Sequence, residues 1–259
     1  MLELNQCYNE NCLATMSQMP DGFVDLVVTS PPYDNLRSYK GYSFEFEKVA
    51  KELFRVIKPG GVIIWVVGDS TVNGSESGTS FKQALFFKET GFNLHDTMIY
   101  AKKNYIPLTH NRYEQGFEYM FCFSKGRPKT FNPIKELCKM AGQKRGKNTY
   151  RHTGEETMPG HSLEGNYNDT KTKSNLFFYS TNAAIKGHPA IFPEPLAEDM
   201  ILSWSNEGDL VYDPFTGSGT TLKMAKLHKR NYLGSEVSPE YCQIINKRLE
   251  ETVLPLTNP

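Results

Sequence analysis

The sequence predicts an α/β fold, with a mostly parallel sheet and helices on both of its faces. Three observations lead to this prediction. Strand-like apolar runs alternate with helical patterns along most of the 259 residues. Several of the strand-like runs are continuously apolar, as in parallel strands buried on both faces. Two of them end in segments rich in Pro or Gly, of the kind that faces a ligand crevice. The length suffices for one large domain, or for one domain with an insertion.

The first half of the chain supplies four strands and two helices. Apolar residues recur at helical spacing in the first helix, and Lys58 to Gly61 follow it as a stop signal, because Pro and Gly both end helices. Two strands with no helix between them are expected to form an antiparallel hairpin at one edge of the sheet. The predicted elements are strand 24–29, helix 44–57, strand 62–67, helix 79–90, and strands 96–101 and 118–124.

The last quarter of the chain continues the alternation. Strands separated by helices imply right-handed crossovers and parallel pairing. The predicted elements are helix 193–205, strand 210–212, helix 220–228, strand 231–234 and helix 239–251.

Residues 126–187 are predicted to be a basic, loop-rich insertion in a domain made of residues 1–125 and 188–259. The chain as a whole has no net charge, but residues 125–186 carry twelve Lys and Arg against five Asp and Glu. Helical and strand periodicity fade there, and Gly, Asn, Thr and His accumulate. Charge alone also fits a flexible, solvated loop.

Cysteine usage and hydropathy limit the possible classes of protein. The five cysteines are scattered, without a C-x-x-C pair or a cluster of His at ligand spacing. We therefore expect no zinc site, no disulfide framework and a reducing, cytoplasmic compartment. The longest apolar stretch, residues 62–67, is far too short to cross a bilayer, so neither a membrane nor secretion is indicated.

A glycine segment, Asp-Pro-Phe-Thr-Gly-Ser-Gly-Thr-Thr at 213–221, ends one strand and opens a helix. Small residues at such a turn let the backbone approach a ligand. The segment lacks the Gly-Lys-Ser/Thr ending of a P-loop, so hydrolysis of a nucleoside triphosphate is not expected. Glu236 follows the next strand, where a carboxylate can accept both ribose hydroxyls of an adenosine. The alternative is a Gly-rich turn beside a solvated glutamate.

A second segment, Thr-Ser-Pro-Pro-Tyr at 29–33, ends the first strand. Consecutive prolines stiffen the loop, so Ser30 Oγ and the Pro31 carbonyl can both accept from one external amino group. The exocyclic amine of cytosine or adenine is a poor nucleophile because its lone pair is delocalised. Two acceptors would make that lone pair available while Tyr33 stacks on a flipped-out base. The alternative is a tight turn with an ordinary tyrosine.

Together, the two segments resemble the DNA amino-methyltransferases that use S-adenosylmethionine, in the permuted (beta) order that places the catalytic motif before the glycine motif. Residues 53–61 and 188–196 add to the resemblance, which covers nearly the whole chain. It implies a Rossmann-like fold with circularly permuted motifs, in which the insertion recognises the target. It also implies double-stranded DNA as substrate, S-adenosylhomocysteine as product and no metal.

The resemblance and the chemistry of the residues together predict three groups of site residues. The catalytic group is Ser30, Pro31, Pro32 and Tyr33. The cofactor contacts are Asn11, which stands where many relatives carry an acid, and His188, Pro189, Phe192, Asp213, Pro214, Phe215, Gly217, Ser218, Gly219, Thr220 and Glu236. The DNA contacts are Arg37, Tyr39 and Lys40 in a loop placed to close over DNA, and Lys144, Arg145 and Lys147 in the insertion.

Several alternatives stay open within this interpretation. A Ser at position 30, where other family members have Asp, favours N4 of cytosine over N6 of adenine as the target. Methylation at carbon 5 of cytosine is disfavoured, because it needs a thiolate nucleophile and no Pro-Cys pair is present. The motif order argues against RNA and protein-amide methyltransferases. The sequence does not distinguish an active enzyme from a catalytically inactive DNA-binding relative. It also leaves open a homodimer, a cognate restriction endonuclease, and a bacterial, archaeal or phage origin.

Overall fold

The computed structural model describes residues 2–32, 44–105, 111–144, 151–153, 156–158, 167–180 and 192–252. The elements follow one another in this order: β1 (Gln6–Tyr8), α1 (Cys12–Ser17), β2 (Val24–Thr29), α2 (Phe46–Val56), β3 (Ile57–Val67), β4 (Thr71–Val72), β5 (Ser75–Glu76), α3 (Thr79–Thr90), β6 (Asn93–Lys102), β7 (Phe117–Ser124), β8 (Lys135–Leu137), β9 (Arg151–Thr153), β10 (Glu156–Met158), β11 (Thr170–Thr172), β12 (Leu176–Tyr179), α4 (Glu194–Trp204), β13 (Leu210–Asp213), α5 (Thr220–Leu227), β14 (Asn231–Ser235) and α6 (Pro239–Glu251).

Eight of these strands form one sheet, in the order β1-β14-β13-β2-β3-β7-β6-β12. Every neighbouring pair is parallel except for the two pairs that β7 makes, with β3 and with β6. This topology confirms the predicted Rossmann-like α/β fold with a mostly parallel sheet. None of the helices that the structure describes is both long and apolar enough to span a bilayer.

The strands alternate their buried side chains between two helical layers. Val27, Ile63 and Tyr212 belong to one hydrophobic core with residues of α1, α2 and α3, such as Leu53 and Phe87. The intervening strand residues are buried as well, and α4 and α5 pack against β2, β13 and β14. Helices on both faces explain why these strands are apolar almost throughout.

The stop signal predicted after the first helix is confirmed, because the helix ends at Val56, close to the predicted end. Lys58 to Gly61 belong to β3, which begins earlier than the predicted strand 62–67. Gly60 has a φ of 84° and its N–H donates to the Lys125 carbonyl at 2.7 Å, while Lys125 N–H donates to Gly61 at 3.1 Å. The Pro-Gly-Gly sequence therefore forms an irregular start of a strand, where the pairing of β2 with β3 shifts register.

Three elements of the main sheet and its first layer are missing from the sequence prediction: β1, α1 and β12. The strand β12 lies inside the predicted insertion, and it pairs in parallel with β6. The predicted antiparallel pair, β6 with β7, therefore lies one strand in from the edge of the sheet. These three elements have three, six and four residues.

Residues Pro133–Ser174 form a compact unit of their own, while Met1–Asn132 and Asn175–Pro259 form the other. In the smaller unit, β8 pairs with β11 and β9 pairs with β10, both antiparallel. An exposed ion pair, Lys171 Nζ to Glu136 Oε1 at 2.9 Å, joins β11 to β8. The predicted insertion, 126–187, extends beyond this unit at both ends.

Candidate active site

The two sequence motifs begin at the carboxyl ends of two neighbouring strands, β2 and β13. These strands are parallel, yet the chain leaves them in opposite directions along the sheet: β2 leads through α2 to β3, and β13 leads through α5 to β14. Loops that diverge in this way leave a crevice at the sheet edge, and ligands of open α/β sheets bind there.

Side-chain hydrogen bonds link β2 to β13 and to α5 beyond the last strand residues that pair through the backbone. The paired residues are Val211 with Leu26 and Tyr212 with Val27. One residue further on, Thr221 Oγ1 donates to the Val28 carbonyl at 3.1 Å. Sequence reasoning did not single out Thr29, and its Oγ1 donates to Asp213 Oδ1 at 2.6 Å.

The carboxylate of Asp213 is buried between the two motifs. It accepts from Thr29 and from the Phe215 N–H, the latter at 3.0 Å. Burial raises the pKa of Asp213 to about 6, although hydrogen bonds from Thr29, Phe215 and Thr221 act in the opposite direction. The carboxylate is thus engaged with the protein, and its role as a cofactor contact stays a prediction.

The raised pKa of Asp213 predicts a pH-dependent stability. Between about pH 4 and 6 the folded protein holds the Asp213 proton and the unfolded chain releases it, so stability falls as pH rises through this window. Relative to Asp213→Asn, the wild type should lose about 2 kcal/mol of unfolding free energy from pH 4 to 6. Urea unfolding of both proteins at several pH values measures this difference, and parallel pH profiles would contradict it.

The glycine segment wraps around the end of β13 in a conformation that only glycine adopts readily. Gly217 and Gly219 have φ values of 54° and 84°, and Gly219 is the N-cap of α5. Thr216 Oγ1 is placed to bond both the Asp213 and the Ser235 carbonyls, at 3.0 and 3.1 Å. The backbone of the loop is therefore fixed against β13 and β14.

An ion cluster that contacts the glycine segment was not predicted from the sequence. Arg248 donates to the Ser218 carbonyl and, at 2.7 Å, to Glu194, which also accepts from Lys223 at 2.7 Å. Burial alone would raise the pKa of Glu194, but the two cations outweigh it and lower the pKa. The cluster joins α4, α5 and α6, and Arg248 connects it to the loop through the Ser218 carbonyl.

Glu236 lies beside the glycine loop, as the spacing predicts, and is only 9% exposed. Its Oε2 accepts from Gly217 N–H at 2.9 Å, and its Oε1 accepts from Ser238 N–H at 2.8 Å. Burial raises the pKa of Glu236 despite these backbone hydrogen bonds. Each carboxylate oxygen retains a lone pair that a sugar hydroxyl can use.

The residues around the loop fit the predicted cofactor. Thr220 begins α5, and its buried Oγ1 has no hydrogen-bond partner among the described residues. A hydroxyl and free N–H groups at a helix N-terminus suit an anionic group such as an amino-acid carboxylate. With Glu236 available for a ribose, the site offers partners to both ends of S-adenosylmethionine.

At the catalytic motif, Pro31 is buried and Ser30 and Pro32 are half-buried at the end of β2. Nearby, the half-buried Phe215 ring packs edge-on against Phe44, with 5.2 Å between centroids. The predicted residues Tyr33, Arg37, Tyr39 and Lys40 lie outside the described residues.

The remaining predicted contacts are spread over the structure. Asn11 is exposed and caps α1, accepting from Leu13 N–H at 2.9 Å. Pro214 is buried and Phe192 is half-buried just before α4, while Lys144 is exposed in the smaller unit. His188, Pro189, Arg145 and Lys147 lie outside the described part of the chain.

Comparison with known proteins adds to this geometry. A family model described as DNA methylase, for N6 and N4 enzymes, matches residues 24–247. The orphan methyltransferase M.BamHII of Bacillus amyloliquefaciens is 52% identical over 242 residues, which cover 90% of this chain and 91% of that protein. The type II methyltransferase M.BglII of Bacillus subtilis is 30% identical and covers 93% of this chain and 68% of its own. The solved cytosine-N4-specific PvuII DNA methyltransferase shares the fold, with a TM-score of 0.70 at 22% identity over 98% of this chain and 87% of that one.

Proposed function

This chain belongs to the N6 and N4 DNA methylase family, and we propose that it methylates the N4 amine of cytosine through the crevice between β2 and β13. As a member of that family it is a site-specific DNA methyltransferase dependent on S-adenosylmethionine. The target base and the residues that act on it are the proposed part.

The observation that carries the proposal is the meeting of two motifs at one crevice. Ser30 and Pro31 follow β2, the cofactor loop of residues 214–220 follows β13, and a 2.6 Å hydrogen bond joins Thr29 to Asp213 just behind them. A cofactor on one loop and a base on the other would lie within reach of each other.

The chemistry needs an acceptor for the amine hydrogens and a fixed approach to the methyl group. When bound, S-adenosylmethionine supplies a methyl group on a positively charged sulfur, which takes up the electron pair of the broken C–S bond. Ser30 Oγ and the Pro31 carbonyl accept from the exocyclic amine and keep its lone pair available for the new N–C bond. One amine hydrogen then leaves as a proton to water by way of Ser30.

The cofactor loop and Glu236 would hold the other reactant. Glu236, which accepts from Gly217 N–H, would also accept from the ribose hydroxyls, while the unpartnered Thr220 hydroxyl and the N-terminus of α5 would hold the methionine carboxylate. The backbone of Gly217 and Gly219 can approach the ligand because neither residue carries a side chain.

Ser30 is the reason for placing cytosine ahead of adenine. The test incubates the protein with labelled S-adenosylmethionine and double-stranded DNA, single-stranded DNA or RNA, and identifies the modified nucleoside by mass spectrometry. We expect N4-methylcytosine from double-stranded DNA. N6-methyladenine would overturn the choice of base, and label only in RNA, or none at all, would overturn the function.

DNA binding is assigned to the basic segment 126–187, in which Lys144 is exposed. Changing Lys144 and Arg145 together to Ala should weaken DNA binding and reduce the slope of log affinity against log salt by about 2, because each phosphate contact contributes about 0.9. Fluorescence anisotropy over a salt series measures this slope. The matched control is Lys247→Ala with Lys48→Ala, on α6 and α2. An unchanged slope in the Lys144 variant would make this segment a solvated loop.

Two further partners remain proposals: a second copy of this chain and a cognate restriction endonuclease. M.BamHII is an orphan methyltransferase by name, which favours action without an endonuclease. Because its substrate is DNA, we place the protein in the cytoplasm of a bacterial cell.

A further inference from the structure

We propose that Thr29 is a positioning residue for methyl transfer, acting through a strand-end clasp formed by Thr29, Asp213 and Thr221. The inference rests on the proposed function, because it assumes that the amine acceptors follow β2 and the cofactor loop follows β13. The clasp sets the distance between the amine acceptors and the cofactor loop.

The clasp lies just past the last residues of β2 and β13 that pair through the backbone. Backbone pairing of β13 with β2 ends at Tyr212 and Val27. Beyond it, Thr221 Oγ1 bonds the Val28 carbonyl and Thr29 Oγ1 bonds Asp213. Among the described residues, these side chains extend the link between the ends of β2 and β13 past the last backbone pairing.

Burial makes these hydrogen bonds hard to replace. Thr29, Asp213 and Thr221 are 0%, 4% and 1% exposed. Water has little access to take the place of a lost hydroxyl, so a buried carboxylate oxygen or carbonyl would lose a partner. Each bond therefore favours one arrangement of the strand ends over others.

The clasp lies one residue away from the amine acceptors and from the cofactor loop. Thr29 directly precedes Ser30, and Asp213 directly precedes Pro214 and Phe215 in the cofactor loop. Group transfer requires reacting atoms to be placed within a fraction of an ångström, and a shift of about 1 Å can cost about a hundredfold in rate. A relaxed clasp should therefore slow transfer more than it weakens cofactor binding.

The pKa of Asp213 provides a measurement that a simple loss of stability would not change. The Thr29 hydrogen bond counteracts the effect of burial on the Asp213 pKa, so removing it should raise that pKa further. Among the described residues, the titratable groups that interact with Asp213 are Cys12 of α1, Tyr212 of β13 and Glu236 beside β14, and all three are retained in the variants.

The test compares Thr29→Val with Thr29→Ser, which keeps the hydroxyl. In Thr29→Val we expect kcat to fall at least about tenfold, the dissociation constant for S-adenosylmethionine to change less than about threefold, and the acidic limb of the kcat profile to move to higher pH. Thr29→Ser should restore most of the rate. Thr97→Val, at an exposed threonine of β6, is the matched control.

The outcomes separate this inference from the proposed function. A wild-type kcat in Thr29→Val, an equal loss in Thr29→Ser, or a loss confined to cofactor affinity would overturn the positioning role while DNA methylation stands. If Thr29→Val does not fold, Thr221→Val carries the same test through the Val28 carbonyl, and an unchanged kcat there overturns the role. No methyl transfer by the wild type would instead overturn the function itself.

Discussion

Changing Ser30 to Ala should lower kcat on DNA about a hundredfold, the usual loss when one preorganised hydrogen bond to the reacting group is removed. The affinity for S-adenosylmethionine should stay within about twofold, because Ser30 belongs to the loop after β2, whereas the glycine loop and Glu236 follow β13 and β14. Single-turnover rates with saturating cofactor and DNA measure the first effect, and calorimetry measures the second.

Ser17 provides the matched control for this experiment. It is an exposed serine of α1, and Ser17→Ala should leave both rate and affinity unchanged. If Ser30→Ala lost cofactor affinity in proportion to rate, Ser30 would belong to the cofactor site. If it lost neither, the loop after β2 would have no part in the chemistry.

Changing Glu236 to Gln should weaken S-adenosylmethionine binding by about tenfold to a hundredfold, as expected for the loss of hydrogen bonds to a charged group. The amide has one acceptor oxygen, so it cannot serve the Gly217 and Ser238 N–H groups and two ribose hydroxyls together. Because burial raises the pKa of Glu236, wild-type affinity should also fall as the pH is lowered and the carboxylate takes up a proton.

Glu250→Gln, at an exposed residue of α6, is the control for the charge change. Calorimetry of the two variants and the wild type at neutral and mildly acidic pH completes the comparison. Equal affinities at neutral pH would place the ribose elsewhere, and an affinity that rises on acidification would contradict a role for the ionised carboxylate.

The sequence pattern predicted the bounds of β2, α3 and α6 as they are in the structure. The strands β1 and β12, of three and four residues, were not predicted. The predicted strand 62–67 omits Lys58 to Gly61, because Pro and Gly there signal only the end of a helix, while hydrogen bonds to the distant Lys125 extend β3 over them.

The candidate site was predictable where function needs a particular residue type. Glycines at 217 and 219 and a carboxylate at 236 follow from the needs of a nucleotide loop, and the structure places them together. Thr29, Thr221 and the cluster of Glu194, Lys223 and Arg248 were not predictable, because their partners are remote in sequence. Only the three-dimensional arrangement shows which hydroxyl faces which carboxylate.

Sequencing of modified bases tests the central claim most directly. The wild-type chain and Ser30→Ala are each expressed in a host that lacks DNA methylation, and the host DNA is then read for modified bases. We predict N4-methylcytosine at one short recognition sequence with the wild type, and a large reduction of that mark with Ser30→Ala. Host DNA without any methylated amine, or a mark of equal strength with Ser30→Ala, would contradict amine methylation at the crevice between β2 and β13.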